Sequence, residues 1–111
     1  MIKKENLPEC PVATTVELIG SKWKLLILKY LLNKTMRYNE LKREIDGISQ
    51  KVLTSTLKSM VEDGIVIRTS YPEVHPEVPP RVEYSLSEIG ESMRPVIDVM
   101  ADWGNTYKNK K

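Results

Sequence analysis

Six polar side chains fall within ten residues, and their spacing limits the chemistry they can do. Ser49, Gln50, Lys51, Thr54, Ser55 and Lys58 share one face if the chain is helical there, because residues three and four apart are neighbours on a helix. No carboxylate interrupts that face before Glu62 and Asp63. A solvated helix face ordinarily mixes Glu with Lys for pairing. Hydroxyls, an amide and two ammonium groups can instead approach phosphates and base edges without repulsion. Gln50 has the geometry to bond adenine N6 and N7, Lys51 and Lys58 suit phosphates, and Ser49 can be a base contact or simply a helix cap. Two other groups invite chemistry. Cys10 stands beside Pro11, where a helix dipole would favour a reactive thiolate; the alternative is an inert cysteine acting as a small hydrophobe. His75 is the single histidine. One His and one Cys with no carboxylate cluster leave no metal site or catalytic dyad in view, so neither an enzyme nor a bound cofactor is expected.

The elements that must position the polar face can be read on either side of it. Leu53, Leu57, Met60 and Val61 recur at 0, 4, 7 and 8, an apolar stripe opposite the polar one. Ser49 can cap this helix, and Gly64 can end it in the left-handed conformation. Before it, Tyr38, Leu41 and Ile45 mark a short amphipathic helix, and Asp46-Gly47-Ile48 makes a tight turn. Helix, glycine-containing turn, helix is the helix-turn-helix pattern, whose second helix lies in the DNA major groove; the alternative is an αα-hairpin without a ligand. Lys42 and Arg43 on the first helix either meet the DNA backbone or are simply solvated. Ile65–Tyr71 and Arg81–Leu86 read as strands, a two-stranded hairpin wing, with Arg81 its best phosphate or minor-groove candidate and Tyr71 and His75 weaker ones. Arg68 is expected to pair with Glu62 or Asp63 in preference to DNA. Pro72, Pro76, Pro79 and Pro80 make the wing tip extended and exposed.

The ends of the chain carry apolar periods. Pro11 opens a helix over about 11–19 with Val12, Val16 and Ile19 on one side; Gly20 stops it, and Ser21 caps the next, Lys22 to Leu32. That second helix has two stripes, Trp23-Leu26-Ile27-Tyr30-Leu31 and Leu25-Leu28-Leu32, enough for a domain core and a subunit contact. Trp23 is read as core, not as a stacking platform. After the Ser87 cap, Ile89, Met93, Val96, Ile97, Met100, Trp103 and Tyr107 hold a helical period over about 87–108, with Pro95 set to kink or restart it. So long a stripe exceeds what a small core can cover, and Val12, Val16 and these seven residues form an expected dimer surface; the alternative is that the helix folds back on its own domain.

Length and charge agree with this reading. With 111 residues the chain suits one domain, mainly α within an α+β class. Net charge is +2, yet Lys22–Arg68 holds ten Lys/Arg against five Asp/Glu. A basic centre between acidic flanks suits a DNA-facing core with a separate partner surface. A single cysteine fits the reducing cytoplasm, and neither a membrane-spanning run nor a signal peptide is read from the sequence. The expected partners are duplex DNA and a second copy of the chain, with no membrane and any small-molecule effector unknown. The rival reading is a protein-interaction module without specific DNA binding.

Several blocks carry a family resemblance: Cys10-Pro11-Val12, Leu18-Ile19-Gly20-x-Lys22-Trp23, Arg37-Tyr38-x-Glu40-Leu41, Ile48–Thr54, Pro79–Leu86 and Ile89-Gly90. Together, from about Cys10 to Trp103, they resemble the HxlR-type winged helix-turn-helix transcriptional regulators, small relatives of the MarR regulators. The resemblance implies a homodimer on a pseudo-palindromic operator, with the helix after Ser49 in the major groove, the wing on backbone or minor groove, and the first and last helices at the dimer interface. In some members the cysteine matching Cys10 senses oxidants or electrophiles. Two departures stand out. Pro-Glu-Val occurs twice, at 72–74 and 76–78, lengthening the wing by about four residues relative to the family pattern. There is also no second cysteine to pair with Cys10.

Overall fold

The computed structural model describes residues 4–72 and 80–110. A 3-10 turn, Lys4–Asn6, leads into α1 (Pro11–Ile19) and α2 (Lys22–Leu31). The short strand β1 (Met36–Arg37) runs directly into α3 (Tyr38–Glu44), and α4 (Gln50–Glu62) follows. The hairpin is β2 (Val66–Tyr71) and β3 (Arg81–Leu86), and the chain closes with α5 (Glu88–Glu91) and α6 (Arg94–Asn109).

Local chemistry sets most of these boundaries. Ser21 Oγ accepts the Lys24 N–H at 3.1 Å, Ser49 Oγ the Val52 N–H at 3.1 Å, and Ser87 Oγ the Gly90 N–H at 3.1 Å, each satisfying one orphan donor of a first turn. Pro11 sits in the first turn of α1, where its missing N–H costs nothing. Gly47 and Gly64 have φ of 83° and 76°, left-handed values that a side chain would strain. At Gly64 the Ile65 N–H reaches the Met60 carbonyl and the Gly64 N–H that of Val61, both at 3.0 Å. That paired closure ends α4 and aims the chain into β2.

The sheet has three strands in the order β1-β3-β2, all antiparallel. The wing is therefore the outer part of a larger sheet: Met36 lies opposite Tyr84, and Arg37 opposite Glu83. Within the hairpin Val66 faces Leu86 and Tyr71 faces Arg81. Val66, Arg68 and Ser70 thus share the face of Leu86, Tyr84 and Val82, with Ile67, Thr69 and Tyr71 on the other.

The core lies where α2, α3, α4 and the sheet meet. It is built by Ile27, Leu28 and Leu31 of α2, Leu41 of α3, Leu53, Leu57 and Met60 of α4, and Met36, Ile45, Ile48, Ile65 and Val66 from strands and turns, with Ile19 of α1 at its edge. No polar side chain is buried among the described residues. Leu28 and Leu32, expected on a separate subunit-facing stripe of α2, are buried in the chain's own core. Leu25 and Leu26 form a groove with Ile97, Met100 and Ala101 of α6. Residues of both stripes thus contribute to the chain's own core, while Leu25 and Leu26 remain only half-buried. Trp23 is half-buried against the core edge.

The expected C-terminal helix is two helices. α5 ends at Glu91, and α6 restarts with Pro95 in its first turn. Arg94 fastens the restart: its guanidinium donates to the Leu32 carbonyl at 2.7 Å and to Glu91 at 2.9 Å. No helix among the described residues is long and apolar enough to cross a membrane.

Candidate nucleic-acid interface

α4 divides cleanly into two faces. Leu53, Leu57 and Met60 are buried, whereas Ser49, Gln50, Lys51, Thr54, Ser55 and Lys58 are exposed. Gln50, Lys51, Thr54, Ser55 and Lys58 line one open concavity with no carboxylate in it. Not every polar group on this face is free. Ser49 Oγ accepts the cap bond but retains its proton. Ser55 donates back to the Val52 carbonyl at 3.1 Å. Thr54 Oγ1 lies 3.0 Å from the Tyr38 hydroxyl, which itself donates to the Gln50 carbonyl at 3.0 Å. Tyr38 was legible only as an apolar position of α3. Its polar tip, which ties α3 to the first turns of α4, leaves no trace in hydrophobic periodicity.

The other basic groups are arranged around this face. Lys42 and Arg43 are exposed in the last turn of α3. Glu40, in the first turn of that helix, accepts the Arg37 N–H at 3.0 Å and lies 3.5 Å from Lys34. The backbone N–H bond, with the Lys34 charge beside it, holds its carboxyl below the ordinary 4.5. Arg68 does not form the expected pair with Glu62 or Asp63. Its guanidinium lies 3.4 Å from Ser70 Oγ, and it faces Thr54, Lys58 and Glu62 across the cleft between α4 and the wing.

At the wing, Arg81 stacks on the Tyr71 ring with 4.2 Å from guanidinium carbon to ring centre, a cross-strand pair set by the register. Glu83, on the same face of β3, lies 3.6 Å from Arg81. This carboxylate was not foreseen; the two-residue spacing is its only sequence signal. His75 lies outside the described residues.

A second surface is apolar. Val12, Val16 and Ile89 are exposed, as are Val96, Met100, Trp103 and Tyr107 along α6, where the last two rings stack at 5.6 Å between centres. No residue of α6 is fully buried within the chain. Two members of the expected surface, Met93 and Ile97, are partly buried against the core, and Val99, outside the expected set, is exposed beside them. Cys10 is exposed just ahead of α1. Thr14 Oγ1 bonds to the Pro8 carbonyl at 2.9 Å and so holds the segment around it. No cluster of His, Cys, Asp and Glu suited to a metal occurs among the described residues.

This arrangement has close relatives. The HTH-type transcriptional regulator YdeP of Bacillus subtilis is 44% identical over 106 residues, covering 96% of this chain and 80% of that protein. The solved structure of the redox regulator HypR in its oxidized form superposes with a TM-score of 0.80 at 38% identity, over 92% of this chain and 99% of that one. The reduced form of the transcriptional regulator YodB from B. subtilis gives a TM-score of 0.76 at 31% identity, over 92% and 97%. The family model described as HxlR-like helix-turn-helix matches residues 18–111. With the helix-turn-helix of α3 and α4, the wing of β2 and β3 and these relatives together, the chain belongs to the HxlR-like helix-turn-helix family and is a transcriptional regulator of the helix-turn-helix type, not an enzyme.

Proposed function

We propose that the protein binds duplex DNA sequence-specifically as a homodimer in the cytoplasm, with α4 in the major groove and the wing on the backbone or minor groove. The observation that carries this is the solvent face of α4, which displays Gln50, Lys51, Thr54, Ser55 and Lys58 without a carboxylate while its other face is locked in the core. Gln50 and Thr54 take base edges, Lys51 and Lys58 phosphates, and Ser49 caps the helix with a proton still available for a contact. Arg81, held by Tyr71, is the wing's contact, and on binding a phosphate replaces Glu83 as its counter-charge. The exposed stripe of Val12, Val16, Ile89, Val96, Val99, Met100, Trp103 and Tyr107 is the subunit interface. The two α4 helices then address half-sites about 34–36 Å apart, one helical turn, or a multiple of it.

Cys10 is the candidate for a redox or electrophile response. Its exposure supports that role, as does the likeness to a redox regulator. Because the chain has no second cysteine, the oxidised form takes Cys10 of the partner subunit, a small thiol, or an alkylating electrophile.

The test is selection of bound sequences from a random duplex pool at about 0.15 M salt, where distant surface charges are largely screened. An enriched inverted repeat supports the reading. Weak binding without enrichment that vanishes as salt rises refutes it and favours a protein-interaction module.

A further inference from the structure

The hydrogen bonds around Tyr38 fix which way one groove-facing hydroxyl points its proton. Tyr38 opens α3 with its ring half-buried against the core. Its hydroxyl oxygen is 3.0 Å from the Gln50 carbonyl oxygen and 3.0 Å from Thr54 Oγ1. A phenol carries one proton, and a carbonyl can only accept. If that proton pointed at Thr54, two acceptor oxygens, those of Tyr38 and Gln50, would face each other at hydrogen-bond distance with nothing between them. Both contacts are satisfied in one arrangement only: Tyr38 donates to Gln50, and Thr54 donates to Tyr38. The proton of Thr54 is then spent inside the protein, and Oγ1 presents lone pairs alone to solvent. Ser49 is the internal contrast: its oxygen accepts the Val52 N–H and its proton stays free. Ser55 also donates inward, but to a carbonyl of its own helix, a bond no other element enforces.

We infer that Thr54 reads an amino-bearing base edge, adenine N6 or cytosine N4, and that Tyr38 is the positioning residue that sets this polarity. The inference rests on the DNA-binding reading above. In the major groove those two amino groups are the donors, whereas guanine O6 and N7 and thymine O4 accept. A hydroxyl with no free proton is repelled by the acceptors and by phosphate oxygens alike. Thr54 therefore belongs with base readout rather than with the phosphate contacts. An untethered threonine, able to donate or accept, would not discriminate in this way.

The test uses the full chain and the sequence selected by the wild type. First, the base pair whose preference is lost in Thr54→Val is located; valine keeps the shape and removes the hydroxyl. At that base pair either the amino group is removed, with 2-aminopurine for adenine or 2-pyrimidinone for cytosine, or the opposite carbonyl is removed by the complementary replacement. Wild-type protein, measured relative to Thr54→Val on the same duplexes to cancel any weakening of the base pair, should lose about three- to tenfold in affinity when the amino group goes, the scale of one net hydrogen bond, and little when the carbonyl goes. Tyr38→Phe, which loses only an oxygen, should abolish that asymmetry while unfolding near the wild-type temperature. Wild-type sensitivity to the carbonyl, or an asymmetry retained in Tyr38→Phe, overturns the inference while leaving DNA binding intact. A wild type that selects no sequence overturns both, and does so at the first step, before any variant is compared.

Discussion

Replacing Trp103 with alanine should dissociate the proposed dimer without unfolding the subunit. Trp103 is 67% exposed in the single chain and Tyr107 69%, and their rings stack on one another in the apolar stripe. A tryptophan side chain offers about 200–250 Å², so about 150 Å² awaits cover. At about 25 cal/mol per Å² that is at most about 4 kcal/mol per ring. Alanine retains some contact, and association converts only part of the buried area into affinity, so about 2 kcal/mol per ring is the working figure. A two-fold interface uses each residue twice, giving about 4 kcal/mol per dimer, or roughly a thousandfold rise in the dissociation constant. Sedimentation equilibrium over a wide concentration range reads this directly. Asn105→Ala, on the opposite side of α6, is the control. Wild-type protein that sediments as a monomer throughout, or a Trp103→Ala variant that associates as tightly as wild type, would refute this interface.

Four further outcomes are expected. Lys51→Ala should weaken binding to all sequences and lower the slope of log affinity against log salt by about one; an unchanged slope would remove Lys51 from the phosphate contacts. Gly90→Ala should destabilise by about 2 kcal/mol, the scale of overpacking, because an added Cβ would lie 2.4 Å from the Ile65 carbonyl oxygen and 3.2 Å from Leu86 Cβ; thermal unfolding reads the loss. Glu40 has its pKa lowered in the folded state, so its contribution is present above the unfolded value and is lost as pH falls through the folded one; Glu40→Gln should therefore flatten the decline in stability below about pH 4.5, measured by denaturant titration against pH. Cys10→Ser should abolish any effect of diamide on DNA binding, and a retained effect in a binding assay would exclude Cys10 as the sensor.

What the sequence disclosed and what it hid divide along the range of the interactions. The caps at Ser21, Ser49 and Ser87 and the left-handed glycines at 47 and 64 act on backbone groups a few residues away, so spacing alone reveals them. The faces of α4 are legible because its apolar and polar periods never cross. Other features depend on partners far along the chain. Met36 meets Tyr84 across 48 residues, and nothing in a two-residue strand names that partner. The period carried through Pro95 still marks Val96, Met100, Trp103 and Tyr107 as one exposed stripe, but it does not say that Met93 and Ile97, at its edge, pack partly against the core while Val99 is exposed. The exposed polar set on α4 was legible as residue types, but the direction of a hydroxyl proton was not, since Tyr38 reads as an apolar residue until its oxygen is located.

Ser87 adds side-chain and backbone bonds at the point where the hairpin ladder ends. Its hydroxyl lies 2.6 Å from the Gly64 carbonyl and 3.0 Å from that of Ile65, and its own N–H donates to Ile65 at 3.0 Å. The end of α4, the root of the hairpin and the start of α5 therefore meet at one residue. If the proposed two-fold assembly is built on α1 and α6, this joint would act as the stem of a pair of calipers, and the angle held there would set how far apart the two α4 helices stand. A chemical event at the subunit interface would not need to reach the groove-facing residues to release DNA. Opening the calipers beyond one turn of the duplex would be enough.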